Sequence, residues 1–396
     1  MRILTFSTLY PNATAPQFGV FVENRLRQLL ASGEVEARVV APVPWVPGDY
    51  GWLGSYARLA RIPAEEHRHG IAVRHPRYPQ LPRIGETLHP LGLALGALPA
   101  LRRLQREGFD FELIDAHYFY PDGVAAALLA RWLGKPFVVT ARGTDLVTIA
   151  KHPLPQRMIR AAAEAADGLI TVSASLAGEL AGLGIARERV TVLRNGVDLA
   201  HFRPAEREAA RARFGVSGPA PVLASVGHLI PRKGNEWILR ALPALPGVRL
   251  LIAGQGPEQA MLEGLIRELG LAGRVTLLGE VAHAELSQLY SAADVLVLAT
   301  GHEGWPNVLL EAMACGTPVL ANAVSGCPEI VTAPEAGRLM PDRQPATIAT
   351  HAAALLAALP DRAATRRYAE GFSWEATTRG QLDLFRAILA RRRAGG

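Results

Sequence analysis

The 396-residue chain has only two cysteines, Cys315 and Cys327, so it offers no disulfide framework and its stability has to come from buried apolar area. Cys315 falls on the apolar side of a helical segment and reads as a small core residue. Long apolar runs are missing as well. The longest, Leu91 to Leu101, falls short of the roughly 20 residues that cross a bilayer as a helix. The start, Met1-Arg-Ile-Leu-Thr-Phe-Ser7, reads as a strand and not as a signal peptide, so the expectation is a cytosolic protein. No basic helix is interleaved with stacking aromatics, which argues against nucleic acid as a partner. The first strand–helix turn, Thr8 to Phe21, lacks the three-glycine dinucleotide fingerprint, which weakens an oxidoreductase reading.

What is present is globular: 49% apolar and 20% charged residues in a chain long enough for two domains. The net charge of +6, mostly arginine, fits either a genome that prefers arginine codons or attraction to phosphate-bearing ligands and anionic membrane surfaces. Strand and helix patterns alternate. Strands are expected at 3–7, 37–43, 71–78, 112–116, 137–140, 168–172 and 190–193, and again at 221–227, 248–253, 274–279, 294–299 and 317–323. Such alternation predicts two doubly wound α/β domains. Asn195-Gly196 is a turn signal and Pro204 discourages a continuing strand, so the expected domains are 1–198 and 199–371, followed by a helical segment over 372–396 ending in a loose Arg391–Gly396 tail.

The most informative stretch is Gly301-His-Glu303-Gly304-Trp305-Pro306-Asn307-Val308-Leu309-Leu-Glu311-Ala-Met-Ala-Cys-Gly316-Thr-Pro318. It follows the apolar run Val295–Leu298, which reads as a buried parallel strand. Pro306 suits a first helical position and Gly316 a left-handed stop. Ligands of open α/β sheets sit at the carboxyl ends of strands, where the free N–H groups of Asn307, Val308 and Leu309 would suit an anion. The carboxylates of Glu303 and Glu311 accept hydrogen bonds, so hydroxyls are their natural partners. A phosphate flanked by hydroxyls on both sides describes a nucleotide-sugar.

These residues resemble the signature of family 4 of the retaining glycosyltransferases: Glu303, seven residues, Glu311, then Ala-Met-Ala-Cys-Gly-Thr-Pro. The resemblance covers nearly the whole chain, and among its branches it is nearest to teichuronic-acid and exopolysaccharide transferases. It implies the GT-B fold, two Rossmann-like doubly wound parallel-sheet domains facing across a cleft, with the C-terminal helix crossing back to the first domain. It implies transfer of a sugar, with retention and without a metal, from a nucleoside-diphosphate donor to a hydroxyl of a glycan or polyprenyl-diphosphate-linked acceptor. The donor, UDP- or GDP-linked, is a substrate, and no cofactor is expected. No DxD motif is present, which fits. Glu303 would hold the donor sugar's 3- and 4-hydroxyls and Glu311 the ribose.

Other landmarks follow in the family's order. Gly19 precedes a helix and can let a phosphate approach closely. His117, in Asp115-Ala-His117-Tyr118, matches the family's histidine near the sugar C6 hydroxyl. Arg142 and Asp145, with Tyr118, are expected to face the acceptor, arginine being suited to a phosphate. Gly227-His228-Leu-Ile-Pro-Arg232-Lys233-Gly234 resembles the family's Gly-Arg-x4-Lys-Gly. His228 stands where the arginine belongs, and Arg232 is the cation that could replace it beside Lys233. Gly254 and Gly256 match the Gly-x-Gly-Pro loop near the nucleotide, and 275–281 would pass the base. Two rival readings remain, a sugar-nucleotide 2-epimerase on the same fold and a non-catalytic homologue. The segment from Arg83 to Arg106, apolar between arginines, could lie against an anionic membrane or simply pack on a core.

Overall fold

The computed structural model describes residues 1–46, 57–79 and 88–394. The chain forms two compact units, Met1–Arg194 with the chain from Glu375 onward, and Asn195–Trp374.

The first unit is built on a sheet of eight strands among the described residues. Its order is Val190–Val192, Gly168–Thr171, Phe137–Ala141, Leu113–His117, Arg2–Phe6, Glu36–Val40, Ile71–Arg74 and Glu65–Arg68. All pair in parallel except the last, an antiparallel edge strand that the sequence pattern does not announce: Glu-Glu-His-Arg has no apolar alternation. The central strands Leu113–His117 and Phe137–Ala141 are buried at every position, as parallel strands covered on both faces should be. Strand order reverses between Arg2–Phe6 and Leu113–His117, which places a switch point at their carboxyl ends. The expected strand over 71–78 is interrupted at His75. There the chain leaves the sheet, and Arg77–Tyr78 pairs instead with Val43–Pro44. The final helix, Trp374–Ala394, contributes Leu382, Phe385, Ile388 and Leu389 to this unit's core. It continues through the arginines expected to be loose: Arg392 pairs with Asp167 and Arg393 with Glu112, which hold the last turn in place.

The second unit carries six parallel strands in the order Val275–Gly279, Arg249–Ala253, Val222–Val226, Val295–Leu298, Val319–Asn322 and Gly337–Met340. Order reverses between Val222–Val226 and Val295–Leu298. The pattern does not announce the last strand: Gly-Arg-Leu-Met pairs with Val319–Asn322 at a half-exposed edge where only Met340 is buried. Gly337 begins it at φ +122°, where an added Cβ would lie 2.0 Å from the Val319 carbonyl oxygen. Among the described residues no helix is long and apolar enough to cross a membrane.

Candidate active site

In the second unit the loops at the switch point are locked together through backbone. Gly254 has φ +143°, and a Cβ there would sit 1.9 Å from the Gly227 oxygen; one at Gly256 would sit 2.3 Å from the Leu229 oxygen. The Leu229 N–H donates to the Gln255 carbonyl at 2.9 Å. The two glycine loops are therefore pressed back to back, which only glycine permits. After a short turn, Pro231–Lys233, the chain enters the helix Asn235–Ala241 through Gly234 at φ +74°. The Arg232 carbonyl accepts from the Gly301 N–H at 2.7 Å, and the Arg232 guanidinium donates to the His302 carbonyl at 2.8 Å.

This docking delivers two cations to one carboxylate. Lys233 Nζ lies 2.6 Å and Arg232 Nη1 3.1 Å from Glu303 Oε1. Burial pushes the Glu303 carboxyl up, but the two cations outweigh it and hold it below the ordinary carboxylate range. The following helix runs Asn307–Ala314, with Pro306 as its cap and not its first residue. The Leu309 N–H is taken by the Pro306 carbonyl at 3.0 Å, so of the three N–H groups expected to face an anion, those of Asn307 and Val308 remain. The Asn307 side chain accepts from Asn195. Trp305 is buried, and its indole N–H donates to the Asn195 carbonyl at 3.0 Å, which packs the loop. Glu311, one turn inside the helix, accepts from the buried Tyr290 hydroxyl at 2.7 Å. Burial pushes its carboxyl up to about 7, against the opposing pull of that hydrogen bond and of Lys233. His228 is exposed on the same loop. Cys315 is fully buried, and burial pushes its thiol up to about 12.

In the first unit Gly19 caps the helix Val20–Ala31 at φ +71°, with room only for a hydrogen against the Leu9 carbonyl. Asp122 ties this turn down, accepting from the Thr8 N–H at 2.7 Å and from the hydroxyls of Thr8 and Ser7. Burial pushes Asp122 up to about 7. Tyr118, at φ +84°, carries the chain away from the sheet. Asp145 is fully buried, and its carboxylate accepts the N–H groups of Phe119, Arg142 and Gly143 at 2.9, 3.2 and 2.7 Å, so it shapes the loop that carries Arg142. Arg142 lies over the Phe21 ring, 5.2 Å from its centroid, and keeps partial exposure. Its Nη2 is 2.6 Å from His117 Nδ1. His117 is 1% exposed, not turned to open solvent, and its Nε2 is 3.3 Å from Asp115 Oδ2. Burial pushes the imidazole down to about 4, so it is neutral at pH 7.

Residues 206–372 match the family model described as glycosyl transferases group 1, and residues 56–201 the one described as glycosyltransferase family 4. D-inositol 3-phosphate glycosyltransferase of Mycobacteroides abscessus is 35% identical over 302 residues, 72% of this chain and 68% of that protein. The chain belongs to the family 4 glycosyltransferases. The protein of the same name from Mycobacterium tuberculosis is 35% identical over 311 residues, and this glycosyltransferase spans 65% of its length. Among solved structures, sucrose-phosphate synthase from Thermosynechococcus elongatus superposes with a TM-score of 0.80 at 22% identity, covering 99% of this chain and 100% of that one. Anabaena HepE in complex with UDP-glucose superposes with a TM-score of 0.72 at 19% identity, covering 98% and 100%. These likenesses show the GT-B fold of the transferase.

Of the residues singled out from the sequence of this glycosyltransferase, Arg232, Lys233, Glu303, Gly304, Asn307 and Val308 gather at one switch point, with Gly227, His228, Gly254, Gly256 and Glu311 around them. Gly19, His117, Tyr118, Arg142 and Asp145 gather at the other. Sequence reasoning missed Asp115, Asp122, Tyr290 and Gln381. Asp115 carried a signal: it stands two residues before His117 on a strand, hence on the same face.

Proposed function

We propose that this glycosyltransferase moves a sugar, with retention and without a metal or further cofactor, from a nucleoside-diphosphate donor to a hydroxyl of a phosphate-bearing acceptor. The observation that carries the reading is the Lys233–Glu303–Arg232 cluster at the switch point, beside the free N–H groups of Asn307 and Val308. The cations and N–H groups are suited to the charge that grows on a leaving diphosphate. Glu303 then holds sugar hydroxyls and Glu311 the ribose. No carboxylate is assigned beneath the anomeric carbon, so a front-face path, in which the leaving phosphate helps take the acceptor proton, is favoured over double displacement. The UDP-glucose complex of HepE supports a UDP-linked donor. The name of the curated relatives supports a cyclitol phosphate acceptor, and the motif likeness a glycan or polyprenyl-diphosphate-linked one, as in teichuronic-acid and exopolysaccharide assembly. Arg142 is the group that would meet a phosphate in either case. Thermal shifts with a panel of UDP-, GDP- and ADP-sugars test the donor, because a tight binder stabilises by mass action. Turnover with inositol phosphate against a polyprenyl-diphosphate glycan then separates the acceptors. No stabilisation by any nucleotide-sugar would overturn the proposal.

A peripheral membrane contact belongs with the second acceptor. Leu88, Leu91 and Leu95 are 64%, 42% and 54% exposed along one stripe of the helix His89–Arg106 and the residue before it, and Arg102, Arg103 and Arg106 are exposed at its end. Arg83, grouped with them from the sequence, lies outside the described residues. Flotation with anionic liposomes at low and high salt tests the contact, and no binding at low salt would favour an acceptor in solution.

A further inference from the structure

The first unit contains a line of polar contacts that runs from Arg25, on the helix Val20–Ala31, through Gln381 on the C-terminal helix to Arg142. Arg25 Nε donates to Gln381 Oε1 at 2.7 Å. Gln381 Nε2 donates to Asp115 Oδ2 at 3.0 Å. Asp115 Oδ2 faces His117 Nε2 at 3.3 Å, and His117 Nδ1 faces Arg142 Nη2 at 2.6 Å. Gln381 is fully buried, and Arg25, Asp115 and His117 are each 1% exposed.

The direction of every bond follows from donor and acceptor chemistry. A guanidinium only donates, so Arg142 forces His117 Nδ1 to be the acceptor. The proton of the neutral ring must then sit on Nε2, where it meets the carboxylate of Asp115. A ring turned over would set Cδ2–H, and a ring protonated on Nδ1 an N–H, against the Arg142 N–H, and neither can accept it. The amide of Gln381 is fixed in the same way. Arg25 can only donate, so the amide oxygen turns to Arg25 and its NH2 turns to Asp115. With both ring nitrogens engaged, His117 is in no position to present one to a ligand without breaking this line. The group at the end of the line with exposure left is Arg142.

We propose that Gln381 is a positioning residue for the His117–Arg142 pair: by holding Asp115 against Nε2–H it shares with Arg142 in fixing the form of His117 whose Nδ1 lone pair orients the guanidinium for the acceptor. This rests on the reading of Arg142 as an acceptor-binding group. A glutamine on the last helix, 266 residues beyond Asp115 in sequence, thus sets the geometry of a strand-end cation.

The test uses the full chain, labelled with 15N and 13C on histidine, with the His117 signal assigned by its loss in His117→Gln. In the wild type His117 should show a single neutral Nε2–H form from about pH 6 to about pH 8. A wild-type signal protonated on Nδ1 would overturn the proposal without any variant. Gln381→Leu removes the whole amide. Gln381→Met keeps the length of the side chain and its packing while removing the N–H that reaches Asp115, so it guards against a loss of folding. Each should mix the two neutral forms of His117 and raise the acceptor KM about tenfold, the scale of a lost hydrogen bond to a charged group. The donor KM should stay within about twofold, because no donor contact in the second unit is altered. A folded Gln381 variant whose His117 spectrum matches wild type refutes the positioning role. A changed spectrum with an unchanged acceptor KM upholds the positioning and refutes the acceptor role of Arg142, which Arg142→Gln kinetics would repeat.

Discussion

Lys233 donates to Glu303 across 2.6 Å, and Glu303 is only 8% exposed. In the proposed reaction the same ammonium serves the donor diphosphate. Donor binding is therefore an exchange, in which a mobile anion takes over part of the charge that the built-in carboxylate satisfies in the free enzyme. Arg232, at 3.1 Å from the same oxygen, can keep Glu303 paired while Lys233 turns to the phosphate.

Replacing Lys233 with Ala should remove one charge-assisted contact, roughly 1.5–3 kcal/mol, so the affinity for a nucleoside diphosphate should fall at least about tenfold. Titration calorimetry with UDP and GDP reads this directly. Equal affinity in wild type and variant would move the diphosphate away from Lys233.

The two glutamates should separate by which half of the donor they meet. Glu303→Gln should lower kcat while leaving free nucleoside diphosphate binding within a few-fold, because the proposed partner of Glu303 is the sugar. Glu311→Gln should weaken both free nucleotide and nucleotide-sugar, because its partner is the ribose. Hydrogen bonds to a carboxylate contribute about 1.5–3 kcal/mol, so each loss should be tenfold or more. The same loss of nucleotide affinity in both variants contradicts the division.

Much of this was legible because it is local. The pair Glu303 and Glu311, the cations at 232 and 233 and the glycines at 227, 254 and 256 each lie in a short stretch that follows an apolar strand, and the alternation of strand, loop and helix puts those stretches at the carboxyl edge of the sheet. Contacts between distant segments were not legible. Nothing near Gln381 announces that it meets Asp115, and nothing near Tyr290 announces Glu311. From sequence alone, Trp305 and Asp145 read as ligand contacts because of the loops they stand in. Only the three-dimensional hydrogen bonds, to the Asn195 carbonyl and to three backbone N–H groups, show that the loop itself needs them. The edge strands at 65–68 and 337–340 escaped for a different reason: strands half exposed to water need not carry an apolar pattern.

Gly254 offers a test of the back-to-back loops that needs no substrate. Alanine there would combine φ +143° with a Cβ 1.9 Å from the Gly227 oxygen. Strain of that kind ranks with the largest single-residue effects, on the order of 3 kcal/mol or more. Denaturant unfolding of Gly254→Ala should show that loss. Gly215→Ala, at φ +68° with nothing within 4 Å, should lose clearly less, about 1 kcal/mol. Similar losses in both would mean that the loops do not press on each other.

Glu311 should make binding and stability respond to pH in opposite directions. Its folded carboxyl is pushed up to about 7 from the ordinary 4.5, so between those values the folded chain holds a proton that the unfolded chain has released. Stability from this group is therefore fullest below the unfolded value, falls as pH rises from 4.5 towards 7, and stays low above that. A shift of this size corresponds to on the order of 3 kcal/mol. Glu311→Gln cannot titrate, so its stability relative to wild type should climb across that window and then level off. Donor affinity runs the other way: the ionised carboxylate is the better acceptor for ribose hydroxyls, so wild-type affinity for UDP or GDP should rise through pH 7. The Gln variant should lack that rise. Paired urea unfolding and nucleotide titrations at several pH values measure both. A difference in stability between wild type and Glu311→Gln that is flat with pH would show that Glu311 does not titrate in this window.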